Sequence, residues 1–186
     1  NARELVEKIK KELSEIEKKV PKQKKKVLVC DPGDDQPFVL GGKGIGNYII
    51  ELAGAKNVTA EINKAWGYST WEKIIVSNPE YILIPDYEGR DYEEKVKYLK
   101  NESPIKDLKA IKNRNLYEFA HSTSRSIYGF YPSLKMATIF YPEEFKGVNP
   151  EAILDEFFDK FMILDSSITT WMFKLEDCDK NKTKKK

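Results

Sequence analysis

Three short apolar runs, separated by segments with helical periodicity, constrain the fold of this chain more than any other feature. The runs lie at 27–30, 81–85 and 116–119, and polar residues do not alternate regularly with apolar ones within them. Such runs are typical of parallel strands that are covered on both faces. Parallel strands need crossover connections, which are usually helices. The sequence therefore predicts an α/β fold, a Rossmann-like lobe with a mainly parallel sheet flanked by helices.

Helical signals fill the segments around these runs. Apolar residues recur every three or four positions over the first twenty residues, which predicts a helix that ends at Pro21. Further helices are predicted from the glycine-rich segment to Gly54 and at 69–77, 92–100, 105–111, 132–140 and 150–161. The first of these has Tyr48 on its inward face. We divide the chain into a connecting helix at 1–21, a lobe at 22–162 and a partly disordered tail at 163–186.

The composition excludes several classes of function. With 32 Lys and Arg residues against 30 Asp and Glu residues, the net charge is +2, whereas a nucleic-acid-binding protein carries a basic excess. No apolar run approaches the length of about 18 residues that a membrane span needs. His121 is the single histidine and the two cysteines, Cys30 and Cys178, are far apart. The sequence therefore predicts no metal site, no resident cofactor and, since it shows no catalytic constellation, no enzyme.

A glycine cluster at 41–46 precedes the second predicted helix. Glycine-rich turns at helix N-termini can bind phosphate groups. The spacing matches neither the dinucleotide-binding motif nor the P-loop. A nucleotide-binding enzyme domain remains an alternative, and a loop that begins a helix is the simpler interpretation.

Two segments carry candidate ligand-binding residues. Trp66 and Tyr68 flank a glycine in a predicted loop between helices, where they could form a wall against a planar ligand or fold onto the core. The second segment follows the third predicted strand at its carboxyl end, where open α/β sheets bind ligands. It contains Arg125, Tyr128 and Tyr131, and an ordinary strand-to-helix connection is its alternative.

A helix-capping pattern begins the third helix. Ser69 is followed three residues later by Glu72, and Ser-x-x-Glu before an apolar run is typical of a capping box. The pattern gives Glu72 a structural role in stabilising the helix N-terminus.

Four segments, in this order, resemble substrate-binding proteins for cobalamin, haem and ferric siderophores, the class III periplasmic binding proteins with a helical backbone. They read GIGNYIIELAGAKNV (44–58), STWEKIIVSNPEYILIP (69–85), LKAIKNRNLYEF (108–119) and YPSLKMATIFYPEEF (131–145). The departures are Ala55 for a glycine, Glu80 for an aspartate, Asn115 for a glycine and Tyr141 for a histidine.

The resemblance implies part of a two-lobed architecture. In that family one long helix joins two α/β lobes, the ligand lies between them, and the helix limits their closure. This chain is similar to the end of the helix and the C-terminal lobe, with the N-terminal lobe missing. The resemblance implies an extracytoplasmic, membrane-anchored lipoprotein that delivers an iron chelate, haem or corrinoid to the permease dimer of an ABC importer.

The resemblance also implies roles for individual residues. In the cobalamin-binding members a tryptophan in the cleft is followed six residues later by a glutamate that docks onto the permease, and Trp66 and Glu72 have this spacing. We expect Trp66, Tyr68, Arg125, Tyr128 and Tyr131 to face the ligand and Glu72 to meet a permease arginine. A lobe repurposed for sensing or adhesion is a further alternative.

Overall fold

A mixed sheet with helices on both faces organises the chain. The structure is a computed structural model and describes residues 2–32, 35–86, 92–120 and 126–162. The predicted tail at 163–186 lies outside the described residues. The elements, in chain order, are α1 (Ala2–Lys19), β1 (Lys25–Asp31), β2 (Phe38–Leu40), α2 (Ile45–Leu52), β3 (Ala55–Asn57), β4 (Trp66–Tyr68), α3 (Trp71–Ser77), β5 (Tyr81–Asp86), α4 (Tyr92–Asn101), α5 (Lys109–Lys112), β6 (Leu116–Ala120), α6 (Phe130–Phe140) and α7 (Pro150–Phe161).

Strand β1 lies at the centre of the sheet. It pairs in parallel with β5, which in turn pairs in parallel with β6. On its other side, the amino half of β1 pairs in parallel with β3, and its carboxyl end pairs antiparallel with β2. Strand β4 extends this end of the sheet by pairing antiparallel with β2. The predicted α/β fold with a mainly parallel sheet is confirmed, and β2, β3 and β4 add to it.

Both faces of β1 are buried. Val27 and Val29 point into a core formed with α2 and α6, whereas Leu28 and Cys30 point into a second core formed with α3, α4 and α5. Burial on both faces explains why this strand reads as a continuous apolar run. It also raises the pKa of the Cys30 thiol, which keeps that cysteine protonated.

Helix α1 packs against the lobe along one face. Ile16 is buried in the same core as Val27, and the more N-terminal apolar residues of α1 contact α6 and α7. The Lys8 ammonium lies 3.1 Å from the Glu156 carboxylate of α7. The amphipathic pattern of the first twenty residues therefore reflects packing onto this lobe.

Helix α2 ends at a crowded turn. Gly54 has a φ of +75°, and a Cβ atom there would lie 2.7 Å from the Cβ of Val20, so the position favours glycine. The Tyr141 hydroxyl accepts from the Lys25 amide at 3.1 Å and donates to the Gly54 carbonyl at 2.6 Å. The predicted inward position of Tyr48 is wrong: Tyr48 lies outside the buried face of this short helix and is 52% exposed.

Candidate functional site

The carboxyl ends of β1, β5 and β6 meet at one edge of the sheet. These strands run in parallel and end at Asp31, Asp86 and Ala120. Ligands of open α/β folds bind at this edge, because the strand-to-helix connections leave a crevice there. The register places Phe38 of β2 opposite Asp31 and opposite Tyr68 of β4. The short β2–β4 ribbon therefore lies at the carboxyl edge.

Three aromatic side chains form a cluster on this ribbon. The Phe38 and Trp66 rings stack with centroids 5.6 Å apart and planes 20° apart. The Tyr68 ring lies 5.1 Å from that of Phe38, with planes 55° apart. Aromatic pairs favour such separations. We call Phe38, Trp66 and Tyr68 the aromatic cluster.

The structure places Trp66 and Tyr68 on a strand. The predicted loop between helices is wrong here, because Trp66–Tyr68 pairs with Phe38–Leu40 to form β4. Trp66 is half-buried against the core on the α2 side of the sheet, whereas Tyr68 is 69% exposed. The sequence reading missed Phe38, and the only local signal was an aromatic residue in the short apolar run at 38–40.

The other predicted ligand residues do not join the aromatic cluster. The Tyr128 ring lies 5.1 Å from that of Phe158 in α7. Tyr131 is 1% exposed, and its hydroxyl donates to Glu151 at 3.3 Å. Burial, with that carboxylate beside it, raises the pKa of Tyr131. The prediction that Tyr131 faces the ligand is corrected, because α6 begins at Phe130 and directs its neighbour against α7. Arg125 lies outside the described residues.

A threonine, rather than the predicted serine, caps α3. The Thr70 hydroxyl accepts from the Lys73 amide at 3.4 Å. Ser69 is buried, and its hydroxyl has no hydrogen-bond partner among the described residues, so the predicted capping box is wrong. The exposed Glu72 carboxylate accepts from its own backbone amide and from the Thr70 hydroxyl, and these bonds lower its pKa. Glu72 therefore supports the helix N-terminus and remains accessible.

Glu72 borders a depression on the outer face of α3. The depression has a volume of about 390 Å³ and is lined by Val58, Thr59, Glu61, Glu72, Lys73, Val76 and Ser77. Val76 is 84% exposed, the largest exposure among the exposed large apolar residues of the described chain. Glu72 and Val76 are therefore both exposed on the same face of α3, beside this depression.

The first half of the glycine cluster, residues 41–43, does not form a phosphate-binding loop. The amides of Gly41 and Gly42 donate to the carbonyls of Ala65 and Ile62, each at 2.9 Å, and the Lys43 amide donates to the Lys64 carbonyl at 3.1 Å. A Cβ atom on Gly41 would lie 2.2 Å from that last carbonyl oxygen. These glycines permit close backbone packing, and their amides are not available to a phosphate.

A buried polar network holds the ribbon at the edge of the sheet. The side-chain amide of Asn57 donates to the Leu40 carbonyl at 3.0 Å and to the side-chain oxygen of Asn47 at 3.1 Å. The Thr59 hydroxyl donates to the same Leu40 carbonyl at 2.8 Å, and the Thr59 backbone amide donates to the side-chain oxygen of Asn57 at 3.1 Å. Asn57 and Thr59 are each 2% exposed. The network joins β2, α2 and β3, and it therefore positions Phe38 indirectly.

The described residues contain neither a candidate metal cluster nor a candidate membrane span. Within the described ranges, no group of three or more His, Cys, Asp or Glu side chains is arranged to hold a metal ion. Among those same residues, no helix combines the length and apolar character needed to cross a bilayer.

Comparison with known proteins gives matches across this architecture. The family model described as periplasmic binding protein matches residues 1–122. The molybdate-binding protein MolA of Haemophilus influenzae is 25% identical over 130 residues, which cover 66% of this chain and 36% of MolA. A periplasmic binding protein from Veillonella parvula is 27% identical, with a TM-score of 0.67 over 80% of this chain and 51% of that one.

A second solved structure shows the fold alone. CeuE of Helicobacter pylori in its nickel–histidine complex is 24% identical, with a TM-score of 0.76 over 90% of this chain and 54% of that one. The chain thus spans about half the length of these solved structures and a smaller share of MolA. The relatives are solute-binding proteins, so the prediction of a binding protein rather than an enzyme is confirmed. The family model matches 122 residues of this chain, and the solved relatives share the fold of its lobe. This chain therefore belongs to the periplasmic binding protein family.

Proposed function

We propose that this chain is the C-terminal lobe of an extracytoplasmic substrate-binding protein of an ABC importer. Its ligand is a large, partly planar metal chelate: an iron chelate, haem or a corrinoid. The missing lobe supplies the other wall of the cleft, and the intact protein is held at the outer face of the membrane. Helix α1, which packs along this lobe, is the end of the connection between the two lobes and keeps their closure small.

The observation that carries this proposal is the position of Trp66 and Tyr68. They lie on a ribbon at the carboxyl edge of the sheet, where a cleft ligand would contact them. Arg125 and Tyr128 come after β6 in the sequence, and we include them as further proposed ligand contacts. An arginine and aromatic rings suit an anionic ligand with a flat face.

The test is a binding screen of the intact protein by absorbance and fluorescence. The probes are haemin, cyanocobalamin and a ferric siderophore, with molybdate and nickel–histidine included because relatives are named for them. We expect a metal chelate to bind and Trp66→Ala to weaken it by roughly 1–3 kcal/mol, the range for an aromatic anchor at a hot spot. Tight binding of molybdate alone would overturn the proposed ligand class.

We further propose that Glu72 docks onto an arginine of the permease. Its carboxylate is exposed, its pKa is lowered, and Val76 lies beside it on the same helix face. Replacement with glutamine removes the charge and keeps the side-chain shape, so the permease arginine would be left unpaired. Transport in reconstituted vesicles should fall for Glu72→Gln, while ligand affinity and melting temperature stay near the wild-type values.

A matched variant controls for a general loss of negative charge. Glu61→Gln removes a carboxylate from the same depression without touching the N-terminus of α3. We expect a smaller loss of transport from this variant. Normal transport by Glu72→Gln would contradict the docking role.

A further inference from the structure

Phe38 is the residue that brings the three rings of the aromatic cluster together. In the antiparallel ribbon it lies directly opposite Tyr68, while Trp66 lies opposite Leu40. Because side chains alternate along a strand, these four residues share one face. The Phe38 ring contacts both of the others, by stacking on Trp66 and by a tilted contact with Tyr68.

Burial falls along this face toward the edge of the sheet. Leu40 is 3% exposed, Trp66 and Phe38 are half-buried, and Tyr68 is 69% exposed. A cluster whose only purpose was to fill the core would not leave a tyrosine ring so exposed at the site where α/β sheets bind ligands. The three rings therefore form a surface that begins in the core and opens toward the carboxyl edge.

The chemistry of this surface selects among ligands. Its three side chains carry no charge and offer only an indole N–H and a phenol hydroxyl as donors. A small oxyanion needs several donors or a cation for tight binding, whereas a conjugated ring system gains from stacking on aromatic faces. The surface suits a ligand with a flat conjugated face.

We propose that Phe38 is a positioning residue of the ligand site: it holds the Trp66 and Tyr68 rings in one surface that stacks against the flat face of a conjugated ligand. The inference rests on the proposed function, because it refines which chelates this lobe binds. Phe38 acts through its two neighbours. The affinity for conjugated ligands, rather than for metal chelates in general, depends on its ring.

The test compares two probes and three variants in the intact protein. The probes are haemin, which is flat and conjugated, and the iron(III) complex of desferrioxamine B, an aliphatic trihydroxamate. Phe38→Leu removes the ring and Phe38→Tyr keeps it. Phe140→Leu is the matched control, because it removes a ring contact of 4.6 Å with Tyr81, at the start of β5 and away from the carboxyl edge.

We expect Phe38→Leu to weaken haemin binding about tenfold or more, which corresponds to about 1.4 kcal/mol. Phe38→Tyr should stay within about twofold of wild type, and Phe140→Leu should leave haemin affinity unchanged while lowering the melting temperature. Any trihydroxamate binding should be the same in Phe38→Leu as in wild type. A purely structural role would instead weaken both probes together or leave both unchanged, and either result would overturn the inference.

Two outcomes separate this inference from the proposed function. If wild type binds the trihydroxamate and not haemin, the chelate-binding function stands and the selection of conjugated ligands is wrong. If no metal chelate binds to the intact protein, the proposed function fails and this inference fails with it.

Discussion

The Lys95 ammonium lies 3.0 Å from the Asp31 carboxylate in a buried ion pair, with both side chains 8% exposed. The same ammonium donates to the Pro85 carbonyl at 3.2 Å. The pair thus joins α4 to the carboxyl ends of β1 and β5, at the edge where we place the ligand.

Removing one partner of this pair should destabilise the lobe strongly. Lys95→Met leaves Asp31 buried without its counter-ion, and such changes typically lower the free energy of unfolding by about 3–5 kcal/mol. Lys97→Met, at an exposed position of the same helix, should change it by less than about 0.5 kcal/mol. Urea denaturation measures both. The double variant Asp31→Leu with Lys95→Met should recover much of the loss, and equal losses in the single and double variants would contradict this account.

The Asn57 network should be a major determinant of the ribbon's stability. Asn57→Leu removes the partner of the Asn47 side-chain oxygen and of the Thr59 backbone amide, whereas the Leu40 carbonyl keeps the Thr59 hydroxyl. A buried polar group that loses its partner costs about 1–3 kcal/mol. Asn63→Leu, at an exposed position in the next loop, is the control. Urea denaturation should show a lower midpoint for Asn57→Leu alone. Similar midpoints for both variants would argue against the network.

The cap of α3 can be assigned by two alanine variants. Thr70→Ala removes the hydroxyl that accepts from the Lys73 amide, and the loss of such a cap typically costs about 0.5–2 kcal/mol. Ser69→Ala removes a hydroxyl that has no partner among the described residues, so it should be neutral or slightly stabilising. Thermal denaturation compares the two. A larger loss for Ser69→Ala would restore the capping box that the sequence indicated.

The contact between α6 and α7 should depend on pH. Burial alone would raise the pKa of Glu151, but hydrogen bonds from Lys135, its own amide and Tyr131 outweigh burial and lower it. A lowered pKa in the folded state means that this carboxylate stabilises the fold above its usual pKa of about 4.3, and that the stabilisation is lost as the pH falls through the lowered value.

Glu151→Gln tests this dependence. The variant should be less stable than wild type at pH 7, by up to about 1 kcal/mol because the carboxylate is half-exposed. The difference should shrink as the pH falls below 4, which denaturant titrations at several pH values would detect. Glu144→Gln, at an exposed position in the turn after α6, is the control. A difference that does not vary with pH would assign the effect to packing.

The sequence predicted the central strands and failed on the ribbon for a physical reason. The runs that became β1, β5 and β6 are buried on both faces, so composition alone reveals them. Strands β2 and β4 have three residues each, too few to show an alternating pattern, and they are defined by pairing between distant segments. The pairing of β2 with β4 places Phe38 beside Trp66 and Tyr68 in the candidate site.

The candidate site shows the same difference between what local sequence reveals and what the folded structure decides. The chemistry of Trp66 and Tyr68 marks them as candidates, and the structure places them together at the carboxyl edge, on a strand instead of in the predicted loop. Tyr131 was selected for its position after β6, but helical geometry turns its ring into the core. Local sequence therefore identifies the residue types of the site, whereas the orientation of Tyr131 depends on where α6 begins.

The most direct test of the central claim is the affinity of the intact protein for haemin when Tyr68 is replaced. The ring is 69% exposed, so Tyr68→Ser should change the melting temperature little. We predict that Tyr68→Ser weakens haemin binding about tenfold, whereas Tyr81→Ser, at the amino end of β5, leaves it unchanged. Unaltered haemin affinity in Tyr68→Ser would contradict the claim that the aromatic cluster forms the ligand surface.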